Sequence, residues 1–342
     1  MKNIRNIILS RTDRIGDVVI TSSCFKPIRE AYPGAKLYLL IRNEIESLFH
    51  CHPLLDGIIS IEEAVLENSR SSELAERLRN FNPDCIILFH DDRTVAIAAR
   101  QARIPIQIGF SGKIEPFLLS HPIPNHKKEC LKHEGIYNFE LLAPLGIKAP
   151  KILTPSISPD PKAREGITDL LPWWNESRPF AAYHLAAYGD KMRLPVSMVS
   201  RHAQWLHQLK NFEIVVIGSG CADAHVNRFV NSVSKGCRVW NLSGLTGLAE
   251  AAWILEKAQI IMTRDSGPAH LAAAMGCPTL AVMGLHKKQP ILKRWKPLGE
   301  KVNALQIKLK PLRLETAKHF QKRYFRSLSD EELQRETLIL LS

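Results

Sequence analysis

The chain has 342 residues, 45% hydrophobic and 23% charged, with a formal net charge of +12 at pH 7. At about 100–200 residues per domain this length implies two globular domains, and the composition excludes a disordered or fibrous chain. No run approaches the roughly 18 apolar residues of a membrane span, Arg11 and Asp13 come too early for a signal peptide, and seven cysteines without a CxxC pair point to a reducing cytosol rather than a disulfide scaffold or zinc site.

In chain order, short apolar runs predict strands at 4–10, 36–41, 57–61, 84–89 and 106–109. Helices are predicted at 17–31, 44–50, 70–80, 92–103 and 133–145. Pro27 is expected to kink or shorten the first helix, and Gly146 to close the last. Residues 148–161 carry four prolines and read as the interdomain linker. The alternation then repeats, with strands at 180–184, 213–217, 238–242, 259–262 and 279–283 and helices at 163–171, 196–210, 223–233, 246–257 and 268–275. Ser329-Asp330-Glu331-Glu332 reads as a capping box for a final helix, 333–341. The expected organisation is an N-terminal domain 1–150, a C-terminal domain 151–328 and a closing helix 329–342. Alternating strands and helices give α/β units with mainly parallel sheets, which bind ligands beyond the carboxyl ends of their strands.

The most informative stretch is Thr263-Arg264-Asp265-Ser266-Gly267-Pro268-Ala269-His270. It follows the apolar run Ile260-Ile261-Met262 and opens an alanine-rich helix stopped by Gly276 and Pro278. Ser266 or Asp265 can cap that helix, Pro268 suits its first turn, and Gly267 lets a ligand approach the backbone. Strand, glycine-containing loop and helix N-terminus make an anion site, typically for phosphate, with His270 within reach. Near the start of the chain, Arg11-Thr12-Asp13-Arg14-Ile15-Gly16-Asp17-Val18 carries carboxylates out of the first strand. Asp17 there is either a helix cap or a ligand-facing carboxylate. Arg11 and Arg14 are either surface charges or grips for an anionic group. Gly218-Ser219-Gly220 resembles half of a dinucleotide motif, but Asp223 stands where its third glycine would be.

The segment Asp265-Ser266-Gly267-Pro268-Ala269-His270-Leu271-Ala272-Ala273-Ala274-Met275-Gly276-Cys277-Pro278 resembles the donor-binding motif of glycosyltransferase family 9, which includes the lipopolysaccharide heptosyltransferases. The Gly16-Asp17 loop resembles that family's N-terminal motif. Two motifs in this order, about 250 residues apart, are far more specific than either alone. The resemblance implies a GT-B fold, two Rossmann-like domains facing across a cleft. It implies an inverting sugar transfer, with heptose from ADP-heptose moved onto an anionic glycolipid such as the lipopolysaccharide core. Asp17 would be the general base, with Asp13 a lesser rival; Arg11, Arg14 and Asp13 would contact the acceptor. Ser266, Gly267, His270 and the loop-ordering Asp265 would form the donor site. Thr246, as a helix cap, and Glu250, on ribose or in solvent, belong to a loop resembling the family's approach to the nucleotide.

A third family motif, small residues followed by Lys-x-Trp-Pro, is expected at His184 to Pro195. Aligned on Pro195, Met192 occupies the lysine's place, with Lys191 and Arg193 on either side. Either cation could balance the diphosphate. Arg264 and His286 also depart from the pattern, leaving another nucleotide sugar, or a non-catalytic scaffold for glycan assembly, as alternatives. With no Asp-x-Asp pair or metal spacing in the sequence, no metal or cofactor is expected. Residues 287–326 hold thirteen Lys or Arg against two acids, Glu300 and Glu315. Such a stretch is either a solvated basic face or a contact for the anionic inner face of the cytoplasmic membrane. Only Trp295, Phe320, Tyr324 and Phe325 interleave it, and a nucleic-acid partner is not expected.

Overall fold

The computed structural model describes residues 4–176, 178–185, 193–220, 223–284, 291–307, 309, 312 and 315–342. They form two compact units, Met1–Asp160 and Pro161–Ser342. The division falls ten residues beyond the expected boundary because the proline-rich stretch belongs to the first unit. Ser156 N–H donates to Ser22 Oγ at 2.9 Å, Ser158 N–H to the Leu48 carbonyl at 2.9 Å and Asp160 N–H to that of Ser47 at 3.0 Å.

The first unit runs β1 (Asn6–Ser10), α1 (Ile15–Thr21), α2 (Phe25–Ala31), β2 (Lys36–Arg42), β3 (Gly57–Ile61), α3 (Glu63–Glu67), α4 (Ser71–Arg79), β4 (Cys85–Leu88), α5 (Arg93–Gln101), β5 (Ile106–Phe110), β6 (His121–Ile123) and α6 (Glu134–Glu140). All neighbouring strands are parallel, in the order β3-β2-β1-β4-β5-β6. The predicted 17–31 helix is in fact α1, a 3-10 turn at Ser22–Cys24, and α2. Ser22 and Ser23 hydroxyls donate back to the Val19 and Ile20 carbonyls, which competes with regular helix, while Pro27 falls harmlessly in the first turn of α2. The segment predicted helical at 44–50 is a 3-10 turn, Asn43–Leu48. Short β6 escaped sequence reading; it holds Pro122, tolerable because this strand lies at the sheet edge.

The second unit runs α7 (Ile167–Leu170), β7 (Phe180–His184), α8 (Val196–Lys210), β8 (Glu213–Ile217), α9 (Ala224–Val233), β9 (Val239–Asn241), α10 (Leu248–Lys257), β10 (Ile260–Arg264), α11 (Gly267–Ala274), β11 (Thr279–Val282), α12 (Ile291–Trp295), β12 (Val302–Leu305), α13 (Ala317–Arg326) and α14 (Asp330–Leu341). Its strands are again parallel, ordered β12-β11-β10-β7-β8-β9. Counted within its own unit, each sheet has the doubly wound order 3-2-1-4-5-6. Each therefore has a switch point between its first and fourth strands, where ligands bind in such sheets.

The final helix begins three residues earlier than predicted, at Asp330. Ser329 caps it by accepting from the Glu332 N–H, as the capping box required. It is not a separate appendage. Leu333 and Leu340 join Tyr183, Val216, Met262, Tyr324 and Phe325 in the core of the second unit. Helix α13 was not foreseen; burial of Phe320, Tyr324 and Phe325 on its inner side removes them from any nucleic-acid stacking surface.

Candidate active site

At the first switch point the loop after β1 meets the end of β4. Arg11 is almost wholly buried, and its donors are committed. Nε donates to Asp13 Oδ1 at 2.7 Å, and Nη1 to the Phe89 carbonyl at 2.8 Å and Asn138 Oδ1 at 3.3 Å. Nη2 donates to Asp17 Oδ1 at 2.5 Å and Glu134 Oε1 at 3.4 Å. The expectation that Arg11 grips an acceptor anion is therefore corrected: a guanidinium in this position holds the loop's carboxylates. Burial alone would lower its pKa, but Asp13, Asp17 and Glu134 outweigh that and raise it. Arg14 is the exposed cation of the loop, standing just ahead of α1.

Asp17 lies in the first turn of α1 with its side chain 15% exposed. Burial pushes it up to about 6, against the pull of Arg11 and with help from the Asp13 and Glu134 charges. Among the described residues, Arg11 holds Oδ1 and nothing donates to Oδ2. From the β4 side, Thr12 Oγ1 lies 3.2 Å from His90 Nδ1 and donates to Asp92 Oδ2 at 3.3 Å, while Asp92 caps α5. Burial and Arg11 lower the His90 pKa. Glu134 and Asn138 were missed in the sequence. They sit one turn apart at the start of α6, polar positions in an otherwise apolar helix face, which is the signal that could have found them.

At the second switch point β7 meets β10. His184 Nδ1 lies 3.2 Å from Thr263 Oγ1 and 3.4 Å from Ser266 Oγ, and the two hydroxyls lie 3.3 Å apart. Burial, then Arg264, brings His184 down to about 4, so the ring is neutral. Neither His184 nor Thr263 was singled out, although a polar residue at the carboxyl end of a parallel strand marks such a site. Ser266 stands at the N-cap position of α11, but its hydroxyl turns to Thr263, His184 and the Arg264 carbonyl and makes no cap bond. The amino end of α11, with Gly267 and Pro268 in its first turn, thus has no side-chain cap. His270 lies in α11, 6% exposed. Asp265 pairs with Arg264 at 3.2 Å and accepts from the Gly284 N–H; burial raises its pKa over these opposing contacts.

The remaining candidates belong to the second unit. Arg193 Nη1 donates to Asp223 Oδ1 at 2.6 Å, and Asp223 caps α9. Lys191, the other cation considered, lies outside the described residues, as does the 285–290 loop. Thr246 is not a cap: Gly247 takes that position, and α10 has no side-chain cap bond. Glu250 folds back over the helix start, where a Cβ on Gly247 would stand 2.7 Å from its Oε2. Among the described residues no group of three His, Cys, Asp or Glu is arranged to hold a metal ion, and no helix is long and apolar enough to cross a membrane.

Comparisons with known proteins bear on the fold and the family. The lipopolysaccharide heptosyltransferase 2 of Salmonella typhimurium is 24% identical over 297 residues, covering 79% of this chain and 80% of that one. The crystal structure of a family 9 glycosyl transferase from Veillonella parvula superposes with a TM-score of 0.82 at 18% identity, covering 100% of this chain and 98% of that one. That of E. coli ADP-heptose lps heptosyltransferase II gives 0.77 at 19% identity, over 99% and 98%. These likenesses give the chain the α/β GT-B fold, with its two Rossmann-like sheets. Residues 71–324 match glycosyltransferase family 9 (heptosyltransferase), most of the chain and all of the second switch point, and the chain belongs to that family of glycosyltransferases.

Proposed function

We propose that this glycosyltransferase moves heptose from ADP-heptose onto an anionic lipopolysaccharide-core acceptor, with inversion at the anomeric carbon. The observation that carries the reading is Asp17: a carboxylate with one oxygen fixed by buried Arg11, the other open, and its pKa raised to about 6. A base poised near neutrality suits removal of a proton from a sugar hydroxyl. In the proposed step the acceptor proton passes to Asp17 Oδ2 as the acceptor oxygen bonds to the anomeric carbon. The bond from that carbon to the diphosphate breaks, and its electron pair leaves on the diphosphate oxygen.

The donor diphosphate is assigned to the β7–β10 switch point. There the uncapped amino end of α11, the Ser266 hydroxyl and His270 offer hydrogen bonds, and among the described residues the nearby Asp265 carboxylate is held by Arg264. Lys191 or Arg193 adds positive charge; Arg193 would have to leave Asp223 to do so. The reaction is proposed to need no metal ion, and Arg14 is the loop cation offered to the acceptor. A cytoplasmic protein resting on the inner membrane face through residues 287–326 accounts for the basic run there.

Calorimetric titration with ADP, UDP, GDP and ADP-heptose, with and without a chelator, tests the donor assignment. ADP-selective binding that survives chelation and weakens in Ser266→Ala is the expected result. Selectivity for UDP or GDP would keep the family chemistry and replace the donor. No binding at all would favour a scaffold.

A further inference from the structure

We infer that Glu134 is a positioning residue for the base, because it shares the Nη2 nitrogen of Arg11 with Asp17 and so weakens that guanidinium's hold on the Asp17 carboxylate. The inference rests on the proposed role of Asp17. The side chain of Glu134 is only 1% exposed and lies on α6, an element far in sequence from the loop it serves. Its Oε1 accepts from Arg11 Nη2 at 3.4 Å and from Lys127 Nζ at 2.8 Å. Lys127 in turn lies over the Phe110 ring, 4.5 Å from the centroid, which closes that side of the cluster to water.

Charge balance gives the arrangement its purpose. Asp13, Asp17 and Glu134 surround Arg11, and Lys127 stands behind Glu134. Fully ionised, the cluster holds three carboxylates against two cations, a surplus of one negative charge in a buried setting. One added proton makes it neutral. Were Glu134 absent, Arg11 and Lys127 would balance Asp13 and Asp17, and Asp17 would keep the upward push of burial but lose that of one neighbouring negative charge.

Arg11 Nε holds the loop partner Asp13 at 2.7 Å, and Glu134 does not share that nitrogen. The other groups around Asp17 do not cancel the surplus. His90 faces it from the end of β4, and burial and Arg11 lower its pKa. Asp92 is tied to the α5 amides and Asp91 accepts from Asn125. The Cys24 thiol is kept protonated by burial. Asn138 contributes no charge: it accepts from Arg11, and its amide donates to Thr21 Oγ1, whose hydroxyl donates to the Asp17 carbonyl. The α6 residues therefore fix both the place of Asp17, through Asn138, and its readiness to take a proton, through Glu134.

The test is the pH profile of kcat in wild type, Glu134→Gln, Lys127→Met and Asp17→Asn, with a parallel 13C carboxyl titration of Asp17 in the free enzyme. Glu134→Gln keeps an acceptor for Arg11 and Lys127 but removes the charge, so the acidic limb and the Asp17 titration should both move down by about one pH unit. KM for the donor should stay unchanged. Lys127→Met removes a cation and should move both up. A Glu134 that only supports the fold would lower Tm and leave limb and titration in place, and that result overturns the inference. Asp17→Asn separates the two ideas: if it retains turnover, the base reading itself fails. If it is inactive while Glu134→Gln leaves limb and titration unmoved, only the role of Glu134 fails. Should Glu134→Gln not fold, the Lys127→Met shift decides alone, its absence counting against the inference.

Discussion

The two switch points share a strand order and even a bridging pair, yet handle charge in opposite ways. In the first unit Thr12 lies 3.2 Å from His90; in the second His184 lies 3.2 Å from Thr263, the same two side chains exchanged between first and fourth strands. Around the first, buried carboxylates crowd a single arginine. Around the second, among the described residues, hydroxyls, a neutral histidine and an uncapped helix end prevail, with the Asp265 carboxylate paired to Arg264. A surplus of negative charge favours taking up a proton, whereas a site without a free carboxylate can receive an anion. One backbone topology serves both because the chemistry resides in loop side chains.

That contrast can be broken at several points. Asp17→Asn should cut turnover by about 10²–10⁴-fold, the usual worth of a general base, while ADP binding measured by calorimetry stays intact. A loss of ADP affinity instead would mean the two sites are not chemically separate. Arg11→Met should cost about 3–5 kcal/mol in urea unfolding, since it strands three carboxylates in a buried cluster. Stability near that of wild type would show that the cluster is hydrated and the surplus-charge argument void.

Burial lowers His184 and His202 to about 4, so their contribution to stability is complete above about pH 6.5 and is lost as pH falls through 4, about 3 kcal/mol each at the limit. Asp17 works in the opposite sense. Its raised value means a contribution present below about 3.8 and lost as pH rises through about 6. All six tryptophans lie between Trp173 and Trp295, so their fluorescence reports the second unit alone. The urea midpoint read by tryptophan should drop between pH 6.5 and 4.5, and a flat response would place those imidazoles in water. Ser266→Ala should weaken ADP binding by about tenfold with little loss of stability, one hydrogen bond to a charged group. Smallest of all, Thr246→Ala should change Tm hardly at all, since Gly247 and not Thr246 begins α10, whereas Asp92→Ala should cost about 1 kcal/mol as a lost cap.

How much of this was legible in the sequence varied with the range of the interaction. Strands at 180–184 and 213–217 match their predicted limits because buried parallel strands are short, continuous apolar runs, and edge strand 57–61 matches as well. Edge strands β6 and β12 passed unnoticed, being three or four residues long with little apolar pattern. The break between α1 and α2 depended on serine hydroxyls turning back on the helix, which composition does not display.

By itself the sequence determined the alternation of strand and helix, hence two parallel sheets. It also placed chemistry-bearing residues at 11–17 and 263–270, because motif residues adjoin strand ends in the chain itself. Only the tertiary structure decided that Arg11 is a buried clamp, that Glu134 and Asn138 join Asp17, that His184 meets Ser266, and that Arg193 is bound to Asp223. The reason is physical: charge and burial depend on what surrounds a side chain in space, and the partners that set them lie up to 127 residues away along the chain.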